Sequence, residues 1–243
     1  MLTKYLPAFI ILSLLAEIFG TVGGFGSSVF FVPIANFFLD FQSVLGLTAL
    51  FHVSSNITKI AFFRKGLDKR LILTLGVPAV VFVILGALVA KYFDPVILTY
   101  ILGGFLITLS LVFLIFKKLV VTPKTSNAII GGTLSGFSAG ILGTGGAIRG
   151  ITMAAFKMSK DKFIATSAVI DLGVDFSRTI VYWFNGFIKT DLLYLVPILI
   201  VVSILGTWIG KRILQHISQE QFRYIVLFLI LGIGIASIVS NIW

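Results

Sequence analysis

Gly20-Thr-Val-Gly-Gly-Phe-Gly26 and Gly140-Ile-Leu-Gly-Thr-Gly-Gly146 decide how this chain is read. Both interrupt long apolar stretches, and they stand about 120 residues apart, at matching places in the two halves. Glycine adopts positive φ without strain and lets a ligand approach the backbone. A helix broken inside a bilayer must turn its freed backbone toward protein or a watery cavity, because lipid offers no partner. Interrupted apolar segments repeated in both halves are the best sequence pointer to a transporter's binding site. The competing reading, close helix packing by small residues, does not explain why the breaks recur.

Composition sets the class. Hydrophobic residues make up 58% of the 243 and charged residues only 12%. Apolar runs fall at 6–39, 43–63, 71–90, 96–116, 128–156, 164–184, 192–210 and 222–242. Nearly the whole chain is therefore expected in a bilayer, as a multi-pass protein of the plasma membrane. The formal net charge of +10 sits in short loops between those runs, which is the positive-inside pattern and not a nucleic-acid surface. With no cysteine and two distant histidines, His52 and His216, neither a disulfide framework nor a metal site is expected. No cofactor motif appears, so the expected partners are the lipid bilayer and a small anion.

The second half echoes the first. Gly20, Gly23 and Gly26 align with Gly140, Gly143 and Gly146, and Gly86-Ala-Leu-Val-Ala-Lys91 aligns with Gly206-Thr-Trp-Ile-Gly-Lys211. Two membrane repeats follow, 1–116 and 128–243, joined by a cytoplasmic linker at 117–127. Charge then orients them. If each broken stretch is a hairpin that enters and leaves on one side, thirteen loop cations fall inside: Arg64, Lys65, Lys69, Arg70, Lys117, Lys118, Lys124, Lys157, Lys160, Lys162, Lys211, Arg212 and Arg223. Only Lys4, Lys91 and Lys189 stay outside. A single crossing at each break removes that bias. The hairpin arms, read as 6–20 and 27–39, are too short for a hydrocarbon core of about 30 Å. The expected fold is all-α: two inverted repeats, each a re-entrant glycine-tipped hairpin plus three transmembrane helices.

Six formal charges lie inside apolar segments: Glu17, Lys59, Arg149, Asp171, Asp175 and Arg178. Each costs at least about 2.5–3.5 kcal/mol at mid-helix, so each is a functional suspect. Asp171, Asp175 and Arg178 share one helix face at i, i+4 and i+7; His52, Asn56 and Lys59 hold the aligned positions. Arg149, three residues past the second glycine cluster, presents a fork suited to a carboxylate, sulfonate or sulfite. Substrate binding is assigned to Arg149, Asn56, Arg178 and the tip glycines Gly23, Gly24, Gly26, Gly143, Gly145 and Gly146. Ion coupling or gating is assigned to Glu17, His52, Lys59, Asp171 and Asp175. A protonatable carboxylate that releases a neighbouring arginine for the anion would couple transport to protons. Bland readings stand beside these. Lys59 is near its helix end and can snorkel, Arg178 can simply neutralise Asp175, and a lone His52 is more often a satisfied core histidine. Glu17 reads as an unpaired carboxylate.

The paired glycine turns, the serine-bearing polar helix after each, and the Arg64-Lys-Gly66 ending together resemble the TauE/SafE family of sulfite exporters. The resemblance implies a secondary transporter for sulfur-containing anions such as sulfite, sulfonates or sulfoacetate. Pro33 fits the family pattern, while Phe25 and Thr144 interrupt the glycines and Arg149 replaces an apolar residue. An anion channel is the alternative within membrane transport. An intramembrane enzyme has only Thr133-Leu-Ser135-Gly136 in its favour, reminiscent of a rhomboid serine motif without its leading glycine.

Overall fold

The computed structural model describes residues 2–24, 26–63, 66–115, 122–216 and 219–239. Phe25, Arg64, Lys65, Lys117, Lys118, Trp243 and the side chain of Arg223 lie outside the described residues. Every regular element among the described residues is helical. The order is α1 (Leu2–Gly23), α2 (Ser28–Asn36), α3 (Phe41–Phe62), α4 (Lys69–Ala90) and α5 (Pro95–Ile115), then α6 (Thr125–Leu142), α7 (Gly146–Ala154), α8 (Lys160–Phe184), α9 (Leu195–Leu214) and α10 (Gln219–Val239). Wider π-type turns at Ile72–Gly76 lie within α4, immediately before Pro78. Pro78 cannot donate backward, and its ring crowds the preceding turn, which the wider winding relieves.

Helix starts follow local chemistry. Asp40 caps α3 by accepting from Ser43 N–H at 3.0 Å, and Asp68 caps α4 by accepting from Leu71 N–H at 3.1 Å. Each cap also carries an ion pair, Asp40 with Lys189 at 2.8 Å and Asp68 with Lys162 at 3.2 Å. Burial alone would raise both carboxyls. Instead the hydrogen bonds and ammonium partners hold Asp40 and Asp68 below the usual carboxylate range.

The chain folds back at both glycine clusters. Phe9 meets Phe38 and Phe31 at 5.6 and 6.0 Å, and Phe19 meets Phe30 at 5.8 Å, so α1 and α2 run antiparallel. The arms are unequal, however, and this corrects the expected lengths. The first arms, α1 and α6, have 22 and 18 residues, while the second arms, α2 and α7, have 9 each. The breaks narrow to residues 24–27 and 143–145, because glycines 20, 23 and 140 stay helical within longer apolar runs. Among the described residues, four helices are long and apolar enough to cross a membrane: Lys4–Gly23, Lys69–Ala90, Pro95–Ile115 and Leu195–Leu214. Helices α3 and α8 have the length, at 22 and 25 residues, but carry the polar faces.

Packing crosses between the halves. Helix α6 lies on α4, and α1 lies on α9. In the first pair the backbones touch: a Cβ on Gly132, Gly136 or Gly140 would strike the carbonyls of Leu75, Ala79 and Val83 in turn. In the second, a Cβ on Gly206 would sit 2.7 Å from the Glu17 side chain, and one on Gly210 2.8 Å from Thr21. Without a hydrophobic drive between helices in lipid, such backbone approach is what holds them. Gly136→Val is therefore expected to cost at least about 1–3 kcal/mol through overpacking. Thermal unfolding in detergent checks this, with the exposed Leu134→Val as control; equal melting would refute the contact. The outward faces are as apolar as the core. Leu73, Val77, Val81, Leu85 and Leu88 form an exposed stripe along α4, as a lipid-facing helix requires. The protein is a membrane protein.

Candidate functional site

The glycine turns bring the start of α2 and the start of α7 against the polar faces of α3 and α8. Gly26 (φ 83°) and Gly143 (φ 73°) occupy the left-handed region that permits these turns. Between the four elements lies a cavity of about 10 Å³, room for a single water. The site is therefore tightly packed, with Asp171 at its accessible edge.

Of the residues singled out above, His52, Asn56, Lys59, Arg149, Asp171, Asp175, Arg178, Gly26, Gly143, Gly145 and Gly146 line this cavity. Glu17, Gly23 and Gly24 do not. Gly23 is the last residue of α1, and Gly24 packs beside Phe163. The i, i+4, i+7 spacing on α3 and α8 thus predicts a shared site, since Asn56 Nδ2 donates to Asp175 Oδ2 at 2.6 Å across the two helices.

Three buried ion pairs organise the charges. Arg178 Nη2 donates to Asp175 Oδ1 at 2.6 Å. Its Nη1 donates to the carbonyls of Ala139 and Gly143 at 3.0 and 2.9 Å, and Tyr182 Oη donates to Gly140 O at 2.7 Å. Arg178 and Tyr182 thereby satisfy the orphan carbonyls at the C-terminus of α6, where cations are favoured. Most of the Arg178 fork is spent on holding the second tip.

The second pair corrects two readings. Glu17 is not unpaired: it is fully buried and 2.9 Å from Lys59 Nζ. It also accepts from Ser27 Oγ at 2.6 Å, Ser55 Oγ at 2.7 Å, Thr207 Oγ1 at 3.0 Å and Thr21 Oγ1 at 3.3 Å. Lys59 does not snorkel, because its ammonium points inward to Glu17 and to Ser55 Oγ at 2.7 Å. Ser27 gives its one proton to Glu17, so His52 Nε2, 3.0 Å from Ser27 Oγ, must itself be the donor. Three helices, α1, α3 and α9, and the first tip converge on one carboxylate, which pins that tip.

Arg149 differs. Its Nη1 pairs with Asp171 and its Nε donates to Ser167 Oγ at 3.0 Å, yet its buried Nη2 has no hydrogen-bond partner among the described residues. Nη2 faces the first tip, 3.6 Å from where a Gly26 Cβ would lie. Asp171 is the most exposed of the six charges, its side chain 14% accessible against at most 7% for the others. Arginine keeps its charge in any such environment. Its free N–H therefore faces the cavity as an unused charged donor.

Ser27, Ser28, Thr21 and Thr207 were missed. Ser27 and Ser28 directly follow the first glycine cluster, and Thr207 is a polar interruption beside Gly206. Those were the available signals. Ser135 of the rhomboid-like tetrapeptide is buried and donates to Gly145 O at 2.9 Å, bracing the second turn.

Comparison with known proteins agrees with this architecture. The sulfite exporter TauE/SafE family profile matches residues 9–237. A probable membrane transporter protein of Methanocaldococcus jannaschii is 28% identical over 251 residues, covering 94% of this chain and 93% of that one. No solved structure matches. A profile match over nearly the whole chain, on a frame of apolar helices around a buried polar site, places the chain in the sulfite exporter TauE/SafE family of membrane transporters.

Proposed function

We propose that the protein is a secondary transporter of the plasma membrane for a small sulfur-containing anion of the sulfite, sulfonate or sulfoacetate type. The observation that carries this is the unpartnered Nη2 of Arg149 facing a narrow cavity between the two glycine turns. A fork with one free arm suits a tetrahedral or pyramidal oxyanion, and the starts of α2 and α7 add backbone N–H groups to the same space. We read the chain as two inverted repeats, 1–116 and 128–243, with 117–127 as a cytoplasmic linker. The reciprocal packing of α1 on α9 and α6 on α4 supports that reading. In it, α2 and α7 are re-entrant arms and alternating access moves one half against the other.

A cavity with room for one water favours a carrier over an open pore. The ion pairs Asp40–Lys189 and Lys162–Asp68 join the two halves at the two ends of the α3–α8 pair. Thermal-shift screening of the purified protein against sulfite, methanesulfonate, acetate and phosphate tests the proposal. Stabilisation by the sulfur anions above the others is expected, followed by saturable counterflow of the best of them in liposomes. Stabilisation by acetate alone would remove the sulfur class, and channel-like conductance would remove the carrier.

A further inference from the structure

We infer that the site takes its anion as a monoanion together with one proton, carried by Asp171; this rests on the transporter reading above. Six formal charges lie within the apolar segments, three of each sign, and each cation is seated on its own carboxylate: Lys59 on Glu17, Arg149 on Asp171, Arg178 on Asp175. The empty site is therefore neutral. A monoanion entering it leaves one uncompensated buried negative charge, and a dianion leaves two. Such a charge is costly in a dry, low-dielectric site unless something neutralises it. A proton binding to one carboxylate restores neutrality for a monoanion and cannot do so for a dianion.

Geometry selects the carboxylate. Glu17 is held by Lys59 and four hydroxyls, stands behind the cavity and has no access to solvent. Asp175 is held between Arg178 and Asn56, and Arg178 is itself committed to the carbonyls of α6. Asp171 accepts from Arg149 alone among the described residues, and it is the accessible one. The groups around it from the packed elements are Arg149 on α7, Lys59 and His52 on α3, and Asp175 and Arg178 on α8. Helix α4 meets α8 through Val80, Gly76 and Ile170, which add no charge.

The exchange is then simple. The anion accepts from Arg149 Nη2 and Nη1 and takes the place of Asp171. Asp171 takes up a proton from the buffered aqueous phase, which supplies it as hydronium or buffer acid, and changes from acceptor to donor. Arg149 stays paired throughout, first with a carboxylate and then with the substrate. The O–H bond of the protonated Asp171 carboxyl is the one covalent bond formed.

Titration calorimetry of the purified wild-type protein with methanesulfonate, in two buffers of different ionisation enthalpy, counts the protons taken up. One proton per anion is expected, with sulfate, the fixed dianion, bound roughly tenfold or more weakly as the class of penalty for one more unpaired buried charge. Asp171→Asn should bind with no proton uptake, and Asp171→Glu should restore it. In liposomes, wild-type methanesulfonate uptake should acidify the lumen and ignore an imposed potential. Binding without proton uptake in the wild type overturns the inference and leaves the transporter reading standing. So does uptake of one proton by Asp171→Asn. Failure of methanesulfonate, sulfite and sulfate all to bind overturns the transporter reading itself, and the inference with it. Because the wild-type proton count decides by itself, a poorly folding Asp171→Asn protein does not protect the idea.

Discussion

Glu17→Ala is expected to destabilise the protein by about 3–5 kcal/mol, the penalty for breaking a buried ion pair from one side. The alanine leaves the Lys59 ammonium buried without its counter-charge and strips an acceptor from Ser27, Ser55, Thr21 and Thr207. Those donors come from α1, the first tip, α3 and α9. The loss should therefore loosen the whole first hairpin and not one side chain. Thermal unfolding in detergent measures it. Removing both charges, as Glu17→Met with Lys59→Met, should recover part of the loss, because a buried pair replaced by apolar groups is often neutral. A single mutant that melts like wild type would show that Glu17 does not pin the tip. If the double mutant melts lower than Glu17→Ala, the stranded ammonium is not the cause.

Arg149→Ala is expected to abolish anion binding while leaving more of the fold intact. Truncating one partner of a buried hydrogen-bonded charge pair typically costs about 2–5 kcal/mol of binding, which is roughly 30-fold to several thousand-fold in affinity. Arg149→Lys should rescue poorly, since a point charge cannot serve Asp171, Ser167 and an anion at once. The readout is the ligand-induced thermal shift with methanesulfonate or sulfite. If Arg149→Ala keeps every shift, Arg149 is not the anion's partner and the free Nη2 has no bearing on transport. Arg178→Ala offers the contrast. It should lower the melting temperature through the lost caps on Ala139 and Gly143.

Part of this site was legible because membranes make charge placement expensive. A residue such as Arg149 or Asp171 inside an apolar run stands out against its neighbours, and helical spacing alone puts Asp171, Asp175 and Arg178 on one face. The aligned trio His52, Asn56 and Lys59 could be found the same way, and the cavity is lined by both trios. Hydroxyls were harder to read. Ser and Thr commonly bond their own helix, as Ser54 does to Phe51 O and Thr58 to Ser54 O. Nothing in the local sequence separates those from Ser55, which turns to Glu17 instead.

What the chain determined by itself was the class of the fold and the list of suspects. Hydropathy makes it a bundle of apolar helices, and glycine clusters in both halves mark where two of those helices break. The pairing of charges was decided only in three dimensions. Glu17 meets Lys59 across 42 positions and Arg149 meets Asp171 across 22, and neither distance follows from helical periodicity. Even Asp175 and Arg178, adjacent on one turn, gave no hint that the arginine's other arm would cap α6. The reason is physical. Local sequence sets which face a side chain occupies, but a buried charge takes its partner from whatever helix the packing brings within about 3 Å. Tertiary packing therefore decided that Lys59 and both terminal nitrogens of Arg178 hold the tips, and that Arg149 keeps a terminal nitrogen free toward the cavity.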